Sequence, residues 1–296
     1  MAGGFLHKIF GSTGPVPAEV RDALRELERL AGERPELAGP IDFLGAVLPN
    51  LYQDSLRDCP PAPTPAHAAA KLSAGIPLLR GENLDLDVKE FRRRWLDVCE
   101  AAQGRHGGET AAPLAEALRR ERLDALELMQ ETLAGRPESI YAKAEWLDLD
   151  AGLLATVLRL TLFPVLVQAN AALAPLRDGI LWHRGHCPTC GSWPLLGEFR
   201  GLEQNRFLRC GLCAAQWDFP RLLCPFCGNS DHNRLGYLHA EGEEAKYRVS
   251  TCDECRGYVK MLSTLTALTP PQLLVAEVAT MHLDLVAAEH NYLAQP

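Results

Sequence analysis

The sequence predicts a multi-domain α+β chain: an all-helical N-terminal domain, two tandem zinc-ribbon-like four-cysteine metal modules, and a C-terminal helix. Three observations carry this reading. Apolar residues recur at three- and four-residue intervals through residues 1–180. Beyond Trp182 the chain changes to short runs punctuated by Gly and Pro. Within that second stretch lie four Cys-x-x-Cys pairs, holding eight of the ten cysteines. The expected boundaries are a helical domain at 1–180, a first module at 181–221, a second at 222–264 and a closing helix within 265–296.

In the helical part, Val20, Leu24, Leu27 and Leu30 form one stripe, ending at Gly32. Val88, Phe91, Trp95 and Val98 form a second, ending near Gly104. Leu123, Leu126, Met129 and Leu133 form a third. Such stripes mark core and carry no function by themselves. Pro60, Pro61, Pro63 and Pro65 cannot continue a helix and mark a connection. The most apolar stretch, Leu153 to Val167, contains Arg159 and Pro164 and runs into Gln168 and Asn170, which suits a buried helix better than a membrane span. After Pro270-Pro271, the stripe Leu274, Val278, Met281, Leu285, Ala288 and Tyr292 predicts one final helix, packed on a metal module or on the helical domain.

The pairs are Cys187/Cys190, Cys210/Cys213, Cys224/Cys227 and Cys252/Cys255. A Cys-x-x-Cys turn presents two sulfurs on one side of a tight loop, so two facing turns make a four-thiolate cage for zinc or for a single iron. The first and third pairs share a C-P-x-C-G form, Cys187-Pro-Thr-Cys-Gly191 and Cys224-Pro-Phe-Cys-Gly228. Gly there permits the positive φ that turns backbone N–H groups toward sulfur. The second and fourth pairs lack that Gly and each follows a strand-like run, Arg206–Arg209 and Tyr247–Ser250. The alternation is that of one module used twice and favours sequential pairing: Cys187, Cys190, Cys210 and Cys213 in site 1, and Cys224, Cys227, Cys252 and Cys255 in site 2. Crossed pairing stays open. Nineteen residues separate Cys190 from Cys210 and twenty-four separate Cys227 from Cys252, both compatible with two-knuckle sites. Modules this small lack a core of their own, so bound metal would supply folding free energy on the order of 10 kcal/mol.

Four thiolates close the coordination shell, leaving structural or electron-transfer roles rather than hydrolysis. His186 beside the first knuckle is expected to hydrogen-bond near the site without ligating, and His183 is not needed as a ligand. Cys99 lies beside Val98 as a buried small hydrophobe, and Cys59 has no evident partner. Trp193 and Trp217 are expected to pack the modules. Disulfides are disfavoured because the cysteines cluster in one part of a long chain. A thioredoxin-type exchange site would need only one pair, at a helix N-terminus.

Charge excludes further classes. Arg184–Lys260 holds ten basic and nine acidic residues, a net of +1 within a chain of net charge −8, so no phosphate-binding field surrounds the modules. No P-loop, dinucleotide-binding glycine pattern or Ser/His/Asp signature is present. The N-terminal residues lack the charged start, apolar run and cleavage site of a secretory signal, and a cytoplasmic location is expected.

The runs Cys187-Pro-Thr-Cys-Gly-Ser-Trp-Pro194, Cys210-Gly-Leu-Cys213, Cys224-Pro-Phe-Cys227 and Thr251-Cys-Asp-Glu-Cys-Arg-Gly-Tyr-Val-Lys260, together with Val278–Leu285 and Glu289–Tyr292, resemble the FdhE proteins, accessory proteins of formate dehydrogenase. The resemblance covers about the last 110 residues. It implies rubredoxin-like modules whose eight cysteines bind two metal ions, with iron favoured and zinc possible. It also implies a non-enzymatic assembly factor acting in the cytoplasm on the catalytic subunit of respiratory formate dehydrogenase before export, with no nucleic-acid partner and no membrane insertion. Gln216, before Trp217, and the prolines before the last helix depart from the family's more acidic pattern. The rival expectations are a zinc-ribbon nucleic-acid-binding protein and a rubredoxin-type electron carrier.

Overall fold

The computed structural model describes residues 16–52, 63–82, 84, 86–103 and 110–294. Its residues group into two compact units, one from 1–59 and 85–165, the other from 60–84 and 166–296.

The first unit is helical: α1 (Ala18–Glu33), α2 (Ala38–Leu51), α4 (Val88–Ala102), α5 (Ala111–Arg119), α6 (Ala125–Ala134), α7 (Pro137–Leu147) and the first part of α8 (Ala151–Leu173). The α1 stripe is buried at Val20, Leu24, Leu27 and Leu30, and the helix runs one residue past Gly32. In α4 the Asp87 carboxylate accepts from the N–H groups of Lys89 and Glu90, which fixes where the helix starts. Its stripe buries Phe91, Trp95 and Val98. Asp124 caps α6 in the same way, and Gly135 closes it in the left-handed conformation. Here the predicted face is displaced. Leu123, Leu128 and Met129 are buried, whereas Leu126 is exposed, because the helix starts at Ala125 and turns its 125/128/129 face inward. Cys99 is fully buried, and burial pushes its thiol up to about 12, an inert state. Cys59 and Pro60-Pro61 lie outside the described residues.

By length and composition α8 with its following turn could cross a membrane, and half of its most apolar window is buried within the protein. Leu154, Val157, Leu158, Leu160, Leu162 and Phe163 supply that burial, as in a core helix.

The second unit holds α3 (Pro65–Ser73), the end of α8, strands β1 (Pro194–Arg200), β2 (Asn205–Cys210), β3 (Gln216–Asp218), β4 (Leu235–Leu238), β5 (Tyr247–Cys252) and β6 (Tyr258–Thr264), and helices α9 (Pro270–Ala279) and α10 (Met281–Glu289). This division differs from the sequence boundary at residue 180: 60–84 and 166–180 group with the cysteine-bearing segment. The physical reason is a set of hydrogen bonds described below.

The two modules are also not separate sheets. All six strands form one sheet in the order β3-β2-β1-β6-β5-β4. Within each module the neighbours are antiparallel, and the modules join through β1 and β6, which run parallel from Leu196↔Lys260 to Arg200↔Thr264. At this junction Glu198 is fully buried. Its carboxylate takes an ion pair from Arg209, a bond from Arg200 Nη2 at 3.1 Å and one from Thr264 Oγ1 at 3.0 Å. Arg209 also donates to the Leu268 carbonyl at 2.8 Å, tying β2 to the approach to α9.

The predicted single C-terminal helix is two helices. Thr269 and Gln272 form a capping box at the start of α9, and the fully buried Thr280 turns its hydroxyl back to the Ala276 carbonyl at 2.7 Å, where α9 ends. The break re-aims the stripe, leaving Leu285 exposed while Leu283 and Ala287 pack on Val249 of β5. Lys260 Nζ and Tyr258 Oη both reach Asp284, at 2.8 Å each, fixing α10 to the sheet.

Candidate metal centres

Each Cys-x-x-Cys pair folds into the same turn. The N–H of the first cysteine donates to the carbonyl five residues on: Cys187 to Ser192, Cys210 to Ala215, Cys224 to Asn229, and Cys252 to Gly257, over 2.8–3.1 Å. In the first three turns the residue four positions on donates back to that cysteine's carbonyl. All four turns place the residue after the second cysteine in the left-handed region: Gly191, Ala214, Gly228 and Arg256 at φ 89°, 54°, 73° and 58°. The C-P-x-C-G pattern signals this conformation in two of the turns, and the other two adopt it at some cost with non-Gly residues. The turn aims amides at sulfur, as in Thr189 N–H to Cys187 Sγ and Leu212 N–H to Cys210 Sγ, both at 3.4 Å.

Facing turns bring the sulfurs into two groups, Cys187/Cys190/Cys210/Cys213 and Cys224/Cys227/Cys252/Cys255, with the ligand atoms of each within 4.8 Å of one another. The groups are sequential because β1–β2 and β4–β5 are hairpins that return the second turn of each module to the first. The sulfur separations are 3.6 Å (Cys187–Cys213), 3.4 Å (Cys190–Cys210) and 3.7 Å (Cys224–Cys255 and Cys227–Cys252). A disulfide requires ~2.05 Å. A tetrahedron with metal–sulfur bonds of ~2.3 Å has edges of ~3.8 Å, so both groups fit one tetrahedral ion each.

The electrostatics point the same way. Burial raises the Cys187 thiol, but hydrogen bonds from the Cys190, Cys210 and Cys213 thiols hold it well below the ordinary thiol range. Burial drives Cys210 and Cys213 well above that range. The second group repeats the pattern: burial, opposed by the N–H groups of Cys255 and Glu254, leaves Cys252 lowered to about 7, while burial raises Cys224 and Cys255. Cys187 and Cys252 are thus favoured as thiolates, whereas burial disfavours the thiolates of Cys210, Cys213, Cys224 and Cys255 until a cation compensates them. The groups differ in access. All four cysteines of the first are buried, whereas Cys227 is exposed and Cys255 half-buried in the second.

The first knuckle is also held by residues remote in sequence. Leu78 and Leu79 N–H groups donate to the carbonyls of Pro188 and Thr189 at 2.9 and 2.8 Å. The loop presenting them is shaped by the buried Lys71, whose ammonium binds the Leu78 and Arg80 carbonyls and the Glu82 carboxylate at 2.8, 2.7 and 2.6 Å. Thr189 Oγ1 donates to Asn170 at the end of α8 at 2.9 Å. Sequence reasoning missed this clamp. Its one available signal was a lysine inside an apolar helical run.

His186 belongs to neither sulfur group. Burial lowers its imidazole pKa, and its ring lies edge-on to Trp182 and Trp193, with centroids at 5.2 and 6.1 Å. Trp193 continues to Phe226 in the third knuckle at 5.5 Å, so an aromatic ladder spans the two modules. Trp217 donates to the Arg184 carbonyl at 3.2 Å. Gly185 completes the junction, because a Cβ there would lie 1.7 Å from the Pro225 carbonyl oxygen.

Comparison with known proteins agrees with this architecture. Residues 186–221 match the family model "FdhE, central domain". The chain is 38% identical over 109 residues to "Protein FdhE homolog" of Stutzerimonas stutzeri (strain A1501), a match covering 36% of this chain and 35% of that protein. The chain thus aligns with about a third of that relative's length. A longer match, 28% identical over 285 residues, joins 92% of the chain to 86% of the "Protein FdhE homolog" of Rhizobium meliloti (strain 1021). "The crystal structure of the FdhE protein from Pseudomonas aeruginosa" superposes with a TM-score of 0.59 at 25% identity, covering 94% of this chain and 92% of that one. The family's central domain thus falls on the first sulfur group, and the chain is similar to FdhE proteins along nearly its whole length.

Proposed function

We propose that this protein is a non-enzymatic assembly factor for respiratory formate dehydrogenase, engaging the catalytic subunit in the cytoplasm before export, with one metal ion in each four-cysteine group. The observation that carries the reading is the pair of closed four-sulfur groups in a chain similar to FdhE proteins. Each has its full set of ligands from the protein, leaving no position for substrate. We favour iron, which when held by four thiolates can change oxidation state without losing a ligand. The protein's own contribution is to position the sulfurs with turn amides, bury the first group, and leave the second accessible at Cys227.

The test is capture of the formate dehydrogenase catalytic subunit by the tagged protein from its own cells, comparing wild type with Cys187→Ala/Cys190→Ala. Capture by wild type and its loss in the variant are expected. Failure of folded, metal-loaded wild type to retain the subunit would remove the reading.

A further inference from the structure

The sheet face opposite α10 carries a cavity of about 450 Å³, lined by Phe199, Gln204, Arg221, Tyr237, Arg248 and Ser263, with Ala245 at its rim. It straddles the β1–β6 junction between the modules, since Phe199 is paired with Ser263. Two guanidinium groups converge on the buried Phe199 ring, Arg221 at 5.4 Å and Arg248 at 6.0 Å. Among the described residues neither makes an ion pair with a carboxylate. Arg221 donates to the Glu203 and Gln204 carbonyls, and Arg248 Nε donates to the Glu244 carbonyl at 2.9 Å. In a chain of net charge −8, two arginines are thus anchored by backbone carbonyls beside one concavity. Such paired forks fit oxyanions, carboxylates above all.

The cavity adjoins an open strand. Matching Cys210 to Cys252 places β4 where β1 stands in the first module, because Pro194 pairs with Cys210 as Leu235 pairs with Cys252. The edge of β1 that faces away from its own hairpin receives β6. The corresponding edge of β4 receives no strand among the described residues, and Gly236 and Tyr237 on it are exposed. Strand edges of this kind accept an added segment through main-chain hydrogen bonds, with neighbouring pockets reading its side chains.

We propose that the β4 edge and the Arg221/Arg248 cavity together bind an extended, acidic segment of another protein, whose backbone pairs with β4 and whose carboxylates meet the two guanidinium groups. The inference gives the client-binding reading a surface distinct from the sulfur groups.

The test uses the full-length, metal-loaded protein and three probes: a fluorescent octapeptide of alternating Val and Glu, its Val/Lys counterpart, and inorganic phosphate. The Glu peptide should bind, weaken with added salt and lose at least tenfold in affinity in Arg221→Gln/Arg248→Gln, while the Lys peptide should not bind. Equal affinity in the double variant, or binding of phosphate without the peptide, would overturn the assignment. If the double variant loses metal or fold, hydrogen exchange on wild type decides instead: slower exchange at Gly236 and Tyr237 on adding peptide supports the site, and unchanged exchange there sinks it. Peptide binding by a protein that captures no formate dehydrogenase subunit would retire the client reading while upholding this one.

Discussion

Single residues set the geometry of the sulfur turns. Gly228 has a φ of 73° and open space where a Cβ would lie, so Gly228→Ala isolates backbone strain from crowding. Its expected cost is ~1 kcal/mol, read as a lower melting temperature of the metal-loaded protein. Ala214 adopts φ 54° with a Cβ already present, so Ala214→Gly should move stability in the opposite direction, or leave it level as unfolded-state entropy offsets the relief. Glu198 sets a larger effect. Removing its charge strands the buried Arg209 guanidinium, and Glu198→Gln should cost ~3–5 kcal/mol in denaturant unfolding. The eight cysteines of the two sulfur groups were legible from spacing, because Cys-x-x-Cys turns are local. Left-handed conformations at Ala214 and Arg256 were not, since only glycine advertises them in sequence. Glu198 was likewise invisible, as its partners Thr264 and Leu268 are brought to it by the fold.

Among elements, the clamp formed by α3 and its following loop shows what a periodic reading leaves out. Lys71 is only 8% exposed and organises the loop that holds Pro188 and Thr189. Lys71→Met keeps much of the side-chain volume but removes the donors. It should loosen the first knuckle and speed metal release from the first group, followed with a colorimetric chelator. Strand pairing was equally hidden: the strand-like runs before Cys210 and Cys252 were readable, whereas the parallel β1–β6 join depends on residues more than sixty positions apart. Gly185 is a direct probe of how the modules abut. Gly185→Ala forces a Cβ into the Pro225 carbonyl, and a loss of ~1–3 kcal/mol is expected, with the aromatic ladder from Trp182 to Phe226 disturbed in tryptophan fluorescence. Alanine without effect at this position would show that the junction yields easily. The C-terminal stripe was read as one helix because Leu274 to Tyr292 keeps helical spacing on both sides of Thr280, and the buried hydroxyl that ends α9 leaves no mark on that spacing.

At the scale of the molecule, the two sulfur groups share one sheet but differ in protection. Thiolates must be deprotonated to hold metal, so lowering pH releases it, and the group containing exposed Cys227 should empty at higher pH and faster under chelator than the buried first group. Two resolved phases are expected, with Cys227→Ser removing the fast one. A single phase would mean that the shared sheet makes loss of the metals cooperative. The most direct measurement is metal analysis of anaerobically purified protein combined with X-ray absorption at the edge of the bound metal. Two ions per chain, each with four sulfur neighbours at ~2.3 Å, is the outcome required by the geometry of the eight cysteines. One ion per chain, or nitrogen and oxygen neighbours in place of sulfur, would contradict it.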